Sequence, residues 1–331
     1  MVCSRSKSLP VFLAALLPIA LPAAHSATDE LNENTINAAS ISDWLEREKS
    51  NDPDPFIIRI QVLLDRTHIS PGVIDGYLGD NLTKAIRTFE QREGLEPDGK
   101  IDERVWSALA VDDAPVLQTY EISGKDLSER YVDKIPDDYA KMAEMKWLGY
   151  TGPKEMLAER FHMDQSLLEL LNPQSDLATP GIKILVASTG EDAAENVSRI
   201  VVDRSEGELF AYADERLIVA YPATIGSTSN PSPSGTHKIK AVVLDPSYTY
   251  DPDKNFQQGD NKKALEIPPG PNGPVGSVWI DLSEPTYGIH GTPEPDLVDK
   301  TSSHGCVRLT NWDARELAGM VAKGIPVEFR E

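Results

Sequence analysis

The hydrophobic period of this 331-residue chain changes partway along, and no single fold class accommodates both patterns. From Phe56 to Val111 apolar residues recur at helical spacing. "FIIRIQVLLDR" puts Ile57, Ile60 and Leu64 on one face, and "NLTKAIRTFEQRE" repeats this with Leu82, Ala85, Ile86 and Phe89. After "GEDAAEN" the pattern becomes that of strands. "SRIVVDRSEGELFAYADERLIVAYPATIG" reads as three β runs with turns at Glu206-Gly207 and Asp214-Glu215, and "THKIKAVVL" alternates as a half-buried strand does. "VGSVWIDL", "YGIHGT" and "IPVEF" continue the set. One amphipathic helix interrupts it, "NWDARELAGMVAKG", with Ala314, Leu317, Ala318 and Val321 on one face and Gly324 as its stop. The chain is therefore predicted to be multidomain: a small all-α three-helix unit, a small α+β unit, and a mostly β domain with one C-terminal helix.

Boundaries follow from composition. Arg5 and Lys7 precede the apolar run "LPVFLAALLPIALPAA", and "AHS" then offers small residues, so residues 1–26 are predicted to be a signal peptide. The run is short for a membrane span and carries three prolines, so no stable span is expected after cleavage. Residues 27–55 are polar and acidic and read as a linker, with one helical turn around Trp44 and Leu45. Residues 56–111 form the helical unit. Its turn "SPGVIDGYLGD" leaves Gly72, Gly76 and Gly79 free for positive φ, and Asp80 or Asn81 is the expected cap of the next helix. Residues 121–188 read as helix, turn, helix ending at Asn172-Pro173, and the strand "PGIKILVA". His162 falls in the first of these helices, as packing or surface. Residues 197–331 are the β-rich domain. Within it Asp245 to Pro274 is irregular, and Pro268, Pro269, Pro271 and Pro274 suppress both helix and ladder, so a wall or lid of a cleft is predicted.

The formal net charge is -21, from 53 acidic and 32 basic residues, which argues against a nucleic-acid partner and against docking on anionic lipid. Of two cysteines, Cys3 would leave with the signal peptide. An exported chain with one remaining cysteine cannot close an internal disulfide, so Cys306 is a reactive thiol or an inert buried one.

The neighbours of Cys306, in "SHGCVRL", favour reactivity. A thiol attacks as thiolate and needs a base within hydrogen-bond reach. Two histidines qualify. His290, in "IHGT", lies at a strand end ahead of the loop that leads to Cys306, and His304 is two residues from it. Gly291 and Gly305 allow close backbone approach, and the N–H groups around Gly305 and Cys306 are candidate oxyanion donors. Arg308 offers a planar fork for a carboxylate. The competing reading is a metal site of His290, His304 and Cys306, but the spacing fits no usual zinc pattern.

Three resemblances sharpen this. The helical unit, through Gln61, Leu64, Asp75-Gly76, Gly79, Ala85, Phe89, Gly94-Leu95, Asp98-Gly99 and Trp106-Leu109, resembles the three-helix peptidoglycan-binding domain. The unit at 121–188 resembles a degenerate LysM module. "IHGT" followed by "SHGCVRL", with His290 sixteen positions before Cys306, together with "YPATIGSTSNPSPSGTHKI" and "PPGPNGPVG", resembles the L,D-transpeptidase (YkuD) catalytic domain. That resemblance implies a cysteine acyltransferase with no cofactor and no metal. Cys306 would be the nucleophile, His290 the base oriented by the Gly291 carbonyl, and His304, Gly305 and Cys306 the oxyanion site. Arg308, Ser303 and Thr292 would bind substrate. It further implies cleavage after the third residue of a peptidoglycan stem with release of D-alanine, and inhibition by carbapenems. The acceptor would be another stem, giving a 3-3 crosslink, or a wall-anchored outer-membrane protein. Peptidoglycan stems and glycan strands are the implied partners and the periplasm the implied compartment. A hydrolase, in which water replaces the amine, and a silent wall-binding scaffold are the alternatives.

Overall fold

A computed structural model describes Met1 and residues 31–47, 50–227, 230–254 and 256–331. The predicted signal peptide beyond Met1 lies outside the described residues. None of the described helices is long and apolar enough to cross a membrane.

The chain after Leu31 begins with α1 (Glu33–Asn37) and α2 (Ile41–Glu46). This stretch, expected to be linker with one turn, buries Ile36, Ile41 and Trp44. Trp44 packs on Phe56 with ring centroids 5.7 Å apart. The helical unit follows as α3 (Pro55–Arg66), α4 (Asp80–Glu93) and α5 (Glu103–Leu109). Asp54 starts α3 by accepting the N–H groups of Phe56 and Ile57, with Pro55 in the first turn, where its missing donor costs nothing. Gly94 ends α4 in the left-handed region. The start of α4 differs from expectation. Gly79 is its N-cap, in extended rather than positive-φ backbone, and neither Asp80 nor Asn81 caps it. Asn81 instead donates to the Val298 carbonyl in the β-rich domain, at 3.2 Å.

The next unit is β1 (Leu117–Glu121), α6 (Tyr139–Ala143), α7 (Pro153–Arg160), α8 (Gln165–Leu171) and β2 (Lys183–Ala187), with β1 and β2 antiparallel. Apart from those of α6, which cluster with Tyr250 and Ile267, its apolar residues and those of α1–α5 form one continuous core, which reaches Ala220 of the β-rich domain. The two small units are therefore packed together rather than strung on a linker. Polar contacts reinforce the joint. Arg66 donates to the carbonyls of Ser188 and Pro115 and pairs with Asp112. His162, two residues beyond α7 rather than within it, has its Nδ1 3.0 Å from Asp65 and its ring stacked on Trp312.

The β-rich domain contributes β3 (Arg199–Asp203), β4 (Glu208–Ala213), β5 (Arg216–Pro222), β6 (Thr224–Ile225), β7 (Gly235–Leu244), β8 (Tyr248–Tyr250), β9 (Leu265–Ile267), β10 (Val278–Leu282), β11 (Gly288–His290), β12 (Val307–Arg308) and β13 (Pro326–Arg330). Nine strands join in the order β5-β4-β3-β13-β7-β10-β11-β12-β6. β5 and β6 are the two ends of this sheet yet only Ala223 separates them in the chain, so the sheet curls into a nearly closed barrel. Its interior is aliphatic, with Ile200, Val202, Leu209, Val219, Ile280, Ile289 and Val327 all buried. The C-terminal helix α9 (Asn311–Met320) covers one side through Ala314, Leu317 and Met320 and stops before Gly324. The stretch expected to be irregular supplies the β8–β9 pair.

Glu208 is buried at the joint between α4 and the sheet, accepting from the Thr88 hydroxyl at 3.2 Å. Burial pushes its carboxyl up to about 7. The neutral form suits the fold, so the penalty is absent below the unfolded value and grows as pH rises through the folded one. Glu208→Gln keeps the hydrogen bond without the charge. It is expected to raise unfolding free energy by ~1–3 kcal/mol at pH 8 and by less than ~0.5 kcal/mol at pH 4, read from urea denaturation at both pH values.

Candidate active site

β11 and β12 are adjacent and parallel, pairing Ile289 with Val307 and His290 with Arg308. This register brings the end of one strand and the start of the other to the same place. The Cys306 thiol precedes β12 and faces the Thr286 carbonyl at 3.8 Å, with the Gly288 backbone acting to favour its thiolate. Gly288 and His290 lie two apart on β11 and so share a face. The loop between the strands, 291–306, carries both sequence motifs back to one sheet position.

His290 is buried and held on two sides. Its Nδ1 is 2.6 Å from the Gly291 carbonyl. A carbonyl only accepts, so Nδ1 carries the proton and Nε2 keeps its lone pair. The imidazole also stacks on Trp279, centroids 5.7 Å apart. Burial, helped by the Arg308 charge, pulls the imidazole down to about 4. Burial likewise pushes the Cys306 thiol up to about 11, with Gly288 and Arg308 pulling the other way. At neutral pH the resting pair is therefore thiol and neutral imidazole. Desolvation of the thiolate thus holds Cys306 in its thiol form at rest.

Ser303 organises the loop. Its hydroxyl accepts from the N–H groups of Gly226 (2.7 Å) and Gly305 (3.2 Å) and donates to the Cys306 carbonyl (2.7 Å). The Gly305 N–H is thus engaged at rest, and among the described residues the His304 and Cys306 N–H groups have no acceptor. Gly305 adopts φ +106, and a Cβ there would come within 2.6 Å of the Tyr287 ring. Ser232 fixes its carbonyl at 2.6 Å. His304 is exposed, its ring stacked on Phe256 at 3.8 Å. Thr292 is buried and its hydroxyl accepts from the Glu294 N–H, which makes it a turn-forming residue. The Arg308 guanidinium forms no hydrogen bond or ion pair with any described residue. Among the described residues no group of three metal-ligating side chains comes together.

Asn311 escaped the sequence argument. Its Oδ1 accepts from the Ser277 N–H at 3.0 Å and lies where a Cβ on Gly291 or on Gly276 would collide with it. Its Nδ2 donates to both oxygens of Glu159, at 3.2 and 3.1 Å, and to the Pro271 carbonyl. Glu159 comes from α7, is buried, and is pushed up to about 7 by burial. Asn311 thus braces the Gly291 peptide whose carbonyl orients His290. Only its place at the start of α9, just after the N-cap Thr310, marked it in the sequence. Asn311→Ala leaves the buried Glu159 carboxyl with the Tyr150 hydroxyl alone and deprives the Ser277 N–H of its acceptor. It is expected to cost roughly 2–4 kcal/mol in chemical denaturation.

Residues 198–329 match YkuD, the L,D-transpeptidase catalytic domain. Residues 53–109 match PG_binding_1, "Putative peptidoglycan binding domain". Among curated proteins, "Putative L,D-transpeptidase YkuD" of Bacillus licheniformis is 32% identical over 131 residues, covering 40% of this chain and 64% of that protein. "Probable L,D-transpeptidase YbiS" of Escherichia coli K12 is 27% identical over 187 residues, covering 55% of this chain and 61% of that protein. The chain thus spans under two thirds of the length of these two relatives. Solved structures include an L,D-transpeptidase from Mycobacterium smegmatis (20% identical, TM-score 0.35, 46% of this chain and 64% of that one). Another is the catalytic domain of an E. faecium L,D-transpeptidase (22% identical, TM-score 0.31, 42% of this chain and 100% of that one). The chain thus carries an L,D-transpeptidase YkuD catalytic domain at residues 198–329, with a PG_binding_1 domain ahead of it at residues 53–109.

Proposed function

We propose that this protein is a cysteine acyltransferase of the cell wall. It cleaves a peptidoglycan stem after its third residue and passes the acyl group to an amine. The observation that carries this reading is the convergence on adjacent parallel strands of Cys306 and a buried His290 whose Nδ1 is tied to the Gly291 carbonyl. As Cys306 Sγ attacks the donor carbonyl, His290 Nε2 takes its proton. Thiolate formation and attack are coupled, because the resting thiol is protonated at neutral pH. The tetrahedral oxyanion is received by the His304 and Cys306 N–H groups. On collapse the C–N bond to D-alanine breaks, and the imidazolium returns the proton to the leaving amine. The acceptor amine then attacks the thioester, His290 takes its proton, and Cys306 is released as thiol.

Carbapenems would acylate the same sulfur. The helical unit would hold glycan strands, and the β1–β2 unit, whose sequence resembles a degenerate LysM module, would add a second glycan contact. An exported, periplasmic enzyme working at the wall fits the N-terminal targeting pattern and the wall-binding unit. The acceptor is a second stem, or a lysine of a wall-anchored outer-membrane protein.

Incubation with disaccharide-tetrapeptide tests the reading. Release of D-alanine with a 3-3 linked dimer supports it. Tripeptide without dimer points to a hydrolase, and no product at all from intact protein points to a wall-binding scaffold. Gly305→Ala, which forces a Cβ toward Tyr287 and an L-residue into φ +106, is expected to lower product formation by ~10²-fold, read from D-alanine release.

A further inference from the structure

The connection from β1 to α7, residues 122–152, leaves its own unit and straps across the β-rich domain. Leu148 N–H donates to the Pro269 carbonyl and the Leu148 carbonyl accepts from Asn272 N–H, both at 2.9 Å. Gly270 lies so close to the Leu148 backbone that a Cβ would not fit. Further along the strap, Tyr139 N–H donates to Gln258 Oε1, and Gln258 Nε2 donates to the Asp137 carbonyl. The strap is thereby fixed on the β8–β9 region on both sides of α6.

This docking places Tyr139 in an aromatic wall. Its ring meets Tyr250 edge-on at 5.2 Å, Tyr248 at 6.1 Å and Phe256 at 6.2 Å. Phe256 in turn stacks on His304, two residues before the nucleophile. The hydroxyls of Tyr139 and Tyr248 have no hydrogen bond among the described residues, whereas that of Tyr250 is engaged by the Gln258 N–H. Four residues beyond His304, on β12, is Arg308, a half-buried guanidinium without hydrogen bond or ion pair among the described residues. Its charge acts on the Tyr139 hydroxyl and the Cys306 thiol, and Glu294 acts on it from a distance. A desolvated cation without a partner is costly, and a guanidinium fork matches a carboxylate two bonds at a time. In a chain of net charge -21 an unmatched arginine next to the nucleophile is a local reversal of sign that draws an anion into the cleft.

We propose that Tyr139 and Arg308 together form a subsite for a free carboxylate of the peptide donor, so that the cleft is complete only with the strap in place. Arg308 takes the carboxylate by its fork, Tyr139 donates its hydroxyl to it, and the aromatic wall excludes water on that side. The proposal rests on the acyltransferase reading. The carboxylate has two sources of the same chemistry: the C-terminus of the leaving residue, and the side chain of the third residue.

Calorimetric binding with full-length protein in a Cys306→Ala background separates these. Three donors are compared: disaccharide-tetrapeptide, its C-terminal amide, and its third-residue side-chain amide. Tyr139→Phe keeps the ring and its packing. It is expected to weaken the unmodified donor about 10-fold and to leave one amide unchanged, and that amide identifies the source. Arg308→Lys, which keeps the charge and loses the fork, is expected to flatten the same preference. Equal weakening of all three donors by Tyr139→Phe, or no weakening, overturns the subsite. Formation of an acyl adduct by the wild type under those conditions shows that the acyltransferase reading stands without it. Neither binding by the Cys306→Ala protein nor adduct formation by the wild type overturns both.

Discussion

Cys306→Ala is expected to lower D-alanine release from disaccharide-tetrapeptide by at least ~10⁴-fold while shifting unfolding free energy by less than ~1 kcal/mol. Among the described residues the proposed nucleophile has no free substitute in its motif. Ser303, the closest hydroxyl in the motif, is committed to the Gly226 and Gly305 N–H groups and the Cys306 carbonyl. The thiol itself contributes one long contact to the Thr286 carbonyl, so its removal leaves the strand register intact. A variant that folds and binds donor but forms no adduct separates chemistry from packing.

His290→Gln is expected to slow acylation by ~10²–10⁴-fold, the range typical of a lost general base. The pH dependence adds a signature. With the imidazole at about 4, His290 stays a competent base down to that value, so acylation falls only when pH approaches it. With the thiol at about 11, only ~10⁻⁴ of it is ionised at pH 7. Alkylation of the free enzyme by iodoacetamide should therefore rise ~10-fold per pH unit from 7 to 9, with no plateau near 8. Acylation by donor should be nearly flat over the same range, because His290 removes the proton during attack. Stability carries the same residue's mark. An imidazole depressed in the folded state contributes stability that is full above the ordinary value of 6.5 and is lost as pH falls through about 4. In His290→Gln that part of the acid destabilisation should disappear.

Local pattern accounts for what the sequence made legible. The 3.6-residue period located α3 and α4, and the double motif named Cys306 and His290, because strands β11 and β12 each begin or end on a motif residue. What it left hidden depends on contacts between distant positions. The segment around Trp44 looked like linker because its apolar residues are few, yet Ile36, Ile41 and Trp44 all find a face on α3 or its neighbours. Asn311 and Glu159 are 152 positions apart, and neither has a neighbour in sequence that hints at the other. Tyr139 lies in a stretch without periodicity, and its role comes from where the strap lands. The separate-module reading had the same origin. Sequence shows where hydrophobic stretches begin and end, but not that the core of one unit continues into the next.

The most direct measurement is the intact mass of the wild-type protein after brief mixing with disaccharide-tetrapeptide, followed by peptide mapping. The account predicts a covalent adduct equal to the donor less D-alanine, located on Cys306 and discharged when a second stem is added as acceptor. An unmodified Cys306 while the donor is bound, or an adduct located on any other residue, would contradict it.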